Sequence, residues 1–237
     1  MNARRTTPEI YRSDPRYIGA YGLREAARIL VLPEATLRSW VRGRGYRAAG
    51  RDRFSEPLIA LPDPGETLLC FTNVVEAHVL SAIRRRHGVP MQQVRPALRF
   101  LEEELDLTHP LAHAELETDG LSLFVEKYGQ LINLSQEGQL AIRELLLAHL
   151  RRIEHDAEGL ASRLFPFTRG ERLDAPHVVV IDPRISFGQP VVAGTGIRTS
   201  VLAARLKAGE SIQELAEDYR LGAEKVEEAI RYELRAA

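Results

Sequence analysis

The sequence predicts a mainly α fold with small β-hairpins, that is, an α+β protein. Apolar residues recur at the helical spacing of three and four positions near the amino terminus and again near the carboxyl terminus. Between these regions, short apolar runs alternate with Pro, Gly, Asn and Asp, which is typical of strands joined by turns. With 237 residues, 44% of them hydrophobic, the chain is long enough for one large or two to three small domains.

Positive and negative charges are unevenly distributed along the chain. Residues 1–53 contain 12 Arg against 5 Asp and Glu, whereas the other 184 residues contain 20 Lys and Arg against 28 Asp and Glu. The formal net charge of −1 therefore combines two regions of opposite sign. A basic region attracts phosphates and an acidic region does not, so we expect a polyanion to bind near the amino terminus only.

The composition argues against several classes of function. Cys70 is the single cysteine, which excludes internal disulfides, and its apolar neighbours predict a buried thiol rather than a nucleophile. The sequence has no Cys and His cluster with zinc-ligand spacing, and no apolar run approaches the roughly 18 residues that span a bilayer. We therefore expect a cytoplasmic protein with no catalytic residues, no metal, no cofactor and no membrane contact.

Residues 21–42 have the pattern of two short helices joined by a tight turn. The apolar positions that define the two helices are Leu23, Ala26, Ala27, Leu30, Leu37, Trp40 and Val41. Pro33 suits the start of the second helix because its φ is already close to the helical value. This spacing predicts a helix-turn-helix unit.

The opposite face of the second helix is polar and basic, and a basic, aromatic-bearing loop follows it. In a helix-turn-helix, this face lies in the major groove, where an arginine can donate two hydrogen bonds to a guanine edge. The loop over residues 44–54 suits a wing on the DNA backbone or in the minor groove. The predicted DNA-binding residues are Thr36, Arg38, Ser39, Arg42, Arg44, Arg47, Arg51 and Arg53. We expect Arg38 and Arg42 to contact bases or phosphates; the alternative is a helical hairpin with a solvated arginine face.

Residues 57–107 continue with a predicted strand pair and a second pair of helices. Two apolar runs within residues 57–71 flank a Pro-Asp-Pro-Gly turn. Asn73 is the expected N-cap of a helix that reaches residue 87, and a further helix begins near Val94, with Pro96 in its first turn. The three arginines at 84–86 have two interpretations, contact with phosphates or compensation of the helix dipole.

This order of elements resembles the winged helix-turn-helix domain of the MerR regulators. The runs that carry the resemblance are Tyr21, EAARIL from Glu25, TLRSW from Thr36 and FTNVVEAHVLSAIRRRHGVP from Phe71. The resemblance covers residues 21–107 and implies a DNA-binding domain there. Residues 1–20 then form an amino-terminal arm.

Residues 108–170 predict a connector with β-hairpins and a helix. Two apolar runs within residues 121–134, separated by Lys-Tyr-Gly-Gln, indicate a hairpin. Ser135 is the expected N-cap of a helix that ends near Leu150. A second hairpin is expected within residues 151–167.

Residues 171–237 predict two short strands followed by three helices. The strands are expected at residues 178–181 and 190–193, and the helices at residues 200–207, 212–219 and 223–235. Ser211 and Glu214 have the spacing of a capping box. The turn before the last helix suggests a second helix-turn-helix, but that helix carries four glutamates, which phosphates repel. We therefore expect it to serve dimerisation or a basic protein partner.

This C-terminal region resembles a homeodomain-like domain of unknown function found in VapB-type antitoxins, which are encoded beside PIN-like toxin nucleases. The runs that carry the resemblance, within residues 178–232, are IDPRISFGQPVVAGTGI, KAGESIQELAEDY and VEEAIRY. With its MerR-like start, the whole chain resembles the longer two-domain antitoxins of this group. The resemblance implies an antitoxin of a type II toxin-antitoxin system that sequesters a PIN-like toxin ribonuclease and represses its own operon by binding operator DNA. We expect a homodimer and no enzymatic activity.

Two other functions compete with this interpretation. One is a stand-alone helix-turn-helix transcriptional regulator without a toxin partner, which makes the same DNA contacts. The other is a metal-dependent nuclease, which needs several carboxylates around a divalent ion. Asp182, Glu217 and Asp218 are present, but they fall on a turn and on an acidic helix face. Carboxylates at such positions are ordinarily hydrated surface groups and need no metal ion.

Overall fold

The computed structural model describes residues 13–48, 50–85, 93–169 and 174–235. The first twelve residues of the predicted arm, the chain around the predicted helix end at residue 87, and the last arginine of the 84–86 run lie outside this part of the chain. The described elements are mixed α and β, with small antiparallel two-stranded sheets, as the sequence predicts.

The amino-terminal elements are the predicted pair of helices and a hairpin. They comprise β1 (Tyr21–Gly22), α1 (Leu23–Leu30), α2 (Glu34–Arg42), β2 (Arg44–Ala48) and β3 (Arg51–Ser55). Helix α1 ends because Val31 adopts the left-handed conformation, with φ of 52°, and Pro33 then stands at the N-cap of α2. The basic loop predicted as a wing is the antiparallel hairpin β2–β3.

The strand pair predicted within residues 57–71 is wrong. The first apolar run forms no strand; instead, the backbone N–H groups of Leu58 and Ile59 both donate to the carbonyl oxygen of Trp40, at 2.6 and 3.0 Å. The last carbonyls of a helix lack partners within the helix, so this segment satisfies the end of α2. The second run forms β4 (Leu68–Leu69), which pairs antiparallel with β1 rather than with its neighbour in sequence.

The second pair of helices is α3 (Phe71–Arg85) and α4 (Val94–Leu105). Helix α4 begins at the predicted residue, with Pro96 in its first turn. Asn73 is not the N-cap of α3; it stands in the first turn, where its side-chain oxygen accepts the N–H of Cys70 at 3.2 Å. Cys70 is buried as expected, and burial raises the pKa of its thiol to about 12.

The hairpin predicted at residues 121–134 is also wrong, because this segment is helix α5 (Asp119–Leu131). Its buried side chains include Leu121, Phe124, Val125 and Tyr128, which follow the spacing of three and four and line one helix face. Three further connector elements are as predicted: α6 (Gln136–Leu150), β5 (Ile153–His155) and β6 (Ala161–Leu164). Two short 3₁₀ helices, Pro110–Ala112 and Ala114–Glu117, were not predicted. Ser135 caps α6 by accepting the N–H of Gly138.

The C-terminal elements match the prediction closely. They are β7 (Val179–Val180), β8 (Val191–Val192), α7 (Thr199–Lys207), α8 (Ile212–Tyr219) and α9 (Ala223–Arg235). Strands β7 and β8 pair antiparallel. Ser211 and Glu214 form the expected capping box at the start of α8.

Side-chain packing joins the amino-terminal helices to the connector. A single hydrophobic core extends from Tyr21 to Ile181, and within it α3 packs on α6 and α4 on α5. A separate core holds β7, β8 and α7–α9 together. The domain boundaries after residues 20, 107 and 170 stay predictions.

The C-terminal unit contacts the first helices of the chain directly. The hydroxyl of Tyr21 donates to the carbonyl oxygen of Gly188 at 3.1 Å. Arg28 on α1 forms an ion pair with Glu233 on α9 at 2.7 Å. Helix α1 is therefore in direct contact with helix α9, and β1 with the chain before β8.

Candidate nucleic-acid interface

Helix α2 presents its predicted polar face to solvent. Ala35, Arg38 and Arg42 are exposed, whereas the opposite side of the helix packs into the core. Arg38 is 62% exposed and pairs with Glu34 one turn earlier. Surface pairs of this kind contribute little to stability, so the guanidinium can exchange its partner for a base or a phosphate at small cost.

Arg42, by contrast, is bound to its own protein. Its guanidinium donates to the carbonyl oxygens of Pro64 and Glu66, at 3.2 and 2.8 Å, and to the hydroxyl of Thr67. These contacts hold the 64–67 loop against the end of α2. A DNA contact from Arg42 would have to replace them.

The two hydroxyl residues predicted to support DNA contacts are also engaged within the protein. Thr36 is buried, and its hydroxyl accepts a hydrogen bond from Arg84 on α3. Ser39 is half-buried and donates to the carbonyl oxygen of Thr36 at 2.7 Å. Both residues lie beside the exposed face of α2 rather than projecting from it.

The register of the wing divides its four arginines between two faces. Arg44 pairs with Ser55, Tyr46 with Arg53 and Ala48 with Arg51, so these positions share one face of the hairpin. Arg47 lies on the other face, opposite Asp52, and the two side chains are 3.6 Å apart and largely exposed.

A cleft of about 200 Å³ lies between α2 and the wing. Its lining residues are Thr36, Ser39, Trp40, Arg44, Tyr46, Ser55, Glu56, Leu58, Arg84 and Arg95. Two of its arginines come from α3 and α4, far along the sequence. Sequence reasoning left the role of Arg84 open and missed Arg95, because neither stands near the helix-turn-helix in the chain.

Helix α9 is acidic, and two of its glutamates contact other parts of the protein rather than solvent alone. Glu228 is buried and accepts hydrogen bonds from Arg169 and Thr168. Burial works to raise the pKa of its carboxyl, but these hydrogen bonds lower it overall. With Glu233 bound to Arg28, two of the four glutamates of α9 serve internal contacts, and Glu224 and Glu227 remain exposed.

Phe187 is the most exposed large hydrophobic residue in the described part of the chain, at 93%. It follows Ser186, and both have positive φ, 48° and 56°, which non-glycine residues adopt at a cost. Ile185, two residues before Phe187, lines a cavity of about 490 Å³ together with Phe165 and Val180. Exposed aromatic side chains beside apolar cavities are common at protein interfaces.

Two of the three carboxylates considered for a nuclease, those of Asp182 and Asp218, are paired with arginines. Asp182 pairs with Arg163 at 3.1 Å, and Asp218 pairs with Arg205 at 2.5 Å. Within the described ranges, no three His, Cys, Asp or Glu side chains come together in a way that would hold a metal ion. The described helices include none with the length and apolar character needed to cross a membrane.

Two protein families match parts of the chain. The family described as "Putative DNA-binding HTH domain" matches residues 19–98, which contain α1, α2, the wing, α3, the start of α4 and the residues that line the cleft. The family described as "Protein of unknown function (DUF433)" matches residues 179–232, which extend from β7 to Tyr232 within α9.

Similar whole proteins come from Mycobacterium tuberculosis. "Putative antitoxin VapB45" is 35% identical over 227 residues, covering 89% of this chain and 92% of that protein. "Uncharacterized protein Rv2308" is 28% identical over 224 residues, covering 90% and 89%. The crystal structure of Rv2018 superposes with a TM-score of 0.67 at 29% identity, covering 90% of this chain and 98% of that one.

Proposed function

We propose a function from one premise: the chain belongs to the family of the putative antitoxin VapB45. On this premise, it is the antitoxin of a type II toxin-antitoxin system. It binds and neutralises a PIN-like toxin ribonuclease, and it represses its own operon by binding operator DNA in the cytoplasm. The observation that carries the DNA-binding part is the exposure of arginines from α2 and from the adjoining wing within the matched helix-turn-helix region.

The structure favours different roles for the arginines predicted to bind DNA. Arg38 is the exposed residue of α2 whose guanidinium is free of the 64–67 loop, so it is our candidate for base contact. Arg44, Arg51 and Arg53 share one face of the wing and suit phosphate contacts along one strand of the backbone. Arg47 suits a phosphate contact from the other face of the wing.

Binding of the full chain to its own promoter fragment and to random duplex tests these roles. Arg38→Ala is expected to cost about 1 to 3 kcal/mol, mainly on the operator, because it removes a sequence-reading contact. Arg53→Ala is expected to weaken binding to both duplexes alike and to reduce the slope of log K against log salt by about one. Equal losses on both duplexes for both variants would reject this division of roles.

We place the toxin on the C-terminal unit, near Phe187. An aromatic side chain that is 93% exposed loses contact with water when a protein covers it, and this burial is favourable. Phe187→Ser should therefore abolish co-purification with the product of the adjacent open reading frame. Leu234→Ser is the matched control, because Leu234 is 54% exposed on the last helix.

A stand-alone regulator without a toxin is the alternative function, and the same experiment separates the two. If the unaltered chain captures no ribonuclease from the adjacent reading frame yet still binds its promoter, the alternative holds. We also propose a homodimer, because paired half-sites in an operator match a protein with a two-fold axis. Light scattering should then give twice the chain mass of 26.6 kDa.

A further inference from the structure

We infer that the cleft between α2 and the wing is a phosphoryl-binding site, in which Arg84 and Arg95 hold the ligand together with Arg44. This inference deepens the proposed DNA-binding function and rests on it. It adds two residues that lie outside the helix-turn-helix sequence, and it gives the second helix pair a part in binding.

Two of the three arginines are already held in position by the protein. Arg84 donates to the hydroxyl of Thr36, and Arg95 donates to the carbonyl oxygens of Glu56 and Pro57. These contacts use one donor of Arg84 and two of Arg95, whereas a guanidinium carries five N–H donors. Each group therefore stands at the cleft wall in a defined orientation, with donors left for a ligand, so binding costs little side-chain entropy.

The cleft is positively charged and rich in hydroxyl groups. Three arginines line it against one carboxylate, that of Glu56, which also accepts a hydrogen bond from Arg99 at 3.1 Å. Tyr46 and Ser55 add hydroxyls from the wing. A phosphoryl group matches this lining, because its oxygens accept several charge-assisted hydrogen bonds at once.

The negative charges near Arg95 do not fully offset its burial. Burial and the positive charge of Arg99 lower the pKa of the Arg95 guanidinium, and they outweigh the charges of Glu56 and Glu102, which act to raise it. A bound dianion or a backbone phosphate would add further negative charge beside Arg95. The volume of about 200 Å³ admits a phosphoryl group with solvent but not a large organic ligand.

Two sources of the phosphoryl group fit this chemistry: the DNA backbone and a free phosphorylated molecule. Ser39 on α2 and Arg44 on the wing both line the cleft. When a recognition helix lies in the major groove, the strand that borders the groove runs past such a position. The geometry favours a backbone phosphate, and the experiment separates the two sources.

The test compares full-length variants by their binding to the promoter fragment and to random duplex over a range of salt. Arg84→Ala and Arg95→Ala should each lower the affinity for both duplexes about tenfold, with a salt slope smaller by about one. Arg84→Lys should keep most of the slope, because the positive charge stays. Arg151→Ala is the matched control, since Arg151 is an exposed arginine at the end of α6, and it should bind as the unaltered chain does.

A second measurement uses Trp40, the single tryptophan of the chain, which lines the cleft. Pyrophosphate is titrated into the protein without DNA while the fluorescence of Trp40 is followed. A saturable change that is lost in Arg84→Ala identifies a site for free phosphorylated molecules. No change with pyrophosphate, together with the DNA losses above, identifies a site for the backbone alone.

The outcomes separate this inference from the proposed function. Unchanged DNA affinity and salt slope in both alanine variants, with no response to pyrophosphate, would overturn the phosphoryl site while DNA binding stands. A pyrophosphate response that depends on Arg84, in a chain that binds no duplex at any salt concentration, would reject the DNA-binding function and keep the site. Circular dichroism of each variant verifies that it is folded.

Discussion

At the scale of single residues, Arg152 is the largest side chain that the described fold buries almost completely, at 2% exposure. Its guanidinium donates to the carbonyl oxygens of Phe165 and Pro166, at 2.8 and 3.1 Å, and to that of Ala175. It therefore ties the chain that enters the C-terminal unit to the β5–β6 hairpin. A buried carbonyl oxygen that loses its hydrogen-bond donor destabilises the fold by the full free energy of its lost hydration.

Replacing Arg152 by Met should consequently destabilise the protein by about 3 kcal/mol or more, because several buried carbonyl oxygens are left without donors. Urea unfolding followed by circular dichroism measures this loss. Arg151→Met is the matched control, since Arg151 is exposed, and it should change the free energy of unfolding by less than about 0.5 kcal/mol. Similar values for the two variants would contradict the structural role of Arg152.

His109 adds a pH-dependent contribution at the same scale. Its Nδ1 lies 3.1 Å from Oε1 of Glu76 on α3. Burial of the ring works to lower its pKa, but the charge of Glu76, the hydrogen bond to it and the charge of Glu102 together raise the pKa above its usual 6.5. A raised pKa means that the folded protein holds this proton more tightly than the unfolded chain does.

The contribution of His109 to stability is therefore complete below pH 6.5 and is lost as the pH rises through the folded-state pKa. His109→Gln should flatten this part of the stability profile. The measurement is the free energy of unfolding between pH 5 and 9, taken as the difference between the two proteins, so that the other histidines cancel. A constant difference over this range would contradict the assignment.

At the scale of elements, Gly43 determines how the wing leaves α2. Its φ is 74°, and a Cβ at this position would clash with the backbone oxygen of Ser55 and lie 2.6 Å from the ring of Phe54. The wing therefore packs directly against the end of the helix. At Gly45, two residues later, no described atom outside Gly45 and its two chain neighbours lies within 4 Å of such a Cβ.

Gly43→Ala should destabilise the protein by about 1 to 3 kcal/mol and should weaken DNA binding, because the strained backbone moves the wing away from α2. Gly45→Ala should leave both properties close to those of the unaltered chain. Thermal unfolding and promoter binding measure the two effects. Equal behaviour of the two variants would mean that the wing position does not depend on Gly43.

At the scale of the whole molecule, the C-terminal unit packs against the helix-turn-helix region through Tyr21 and α1. A Cβ on Gly188, where φ is 75°, would clash with the hydroxyl of Tyr21. At Gly194, where φ is 81°, the space is open among the described atoms. Alanine at either position has to adopt a positive φ, but only at Gly188 does it also push the two units apart.

Gly194→Ala should cost about 1 kcal/mol, and Gly188→Ala should cost at least about 1 kcal/mol more, because the contact with Tyr21 is lost as well. Urea unfolding gives the two values, and hydrogen exchange should be faster in α1 of the Gly188 variant only. Equal costs would show that Tyr21 and Gly188 contribute nothing to the stability of the chain.

Several elements could be predicted from the sequence because their ends depend on neighbours in the chain. Ser211 and Glu214 satisfy each other's backbone groups within one turn, and the bounds of α8 and α9 follow the pattern of caps and turns. The hairpin at residues 121–134 was predicted wrongly because short apolar runs do not distinguish a strand from a buried helix. Burial of Phe124 and Tyr128 in the core stabilises the helix rather than a hairpin.

The amino-acid sequence by itself determined the position of the helix-turn-helix, the basic wing and the likeness to VapB-type antitoxins, because these depend on local spacing and composition. Only the tertiary structure decided which arginine side chains are available to bind a ligand. Arg42 is engaged by the 64–67 loop, and Arg84 and Arg95 arrive at the cleft from separate helices. The physical reason is distance along the chain: a cap or a turn is completed by residues a few positions away, whereas the partner of a long charged side chain is set by how distant helices pack.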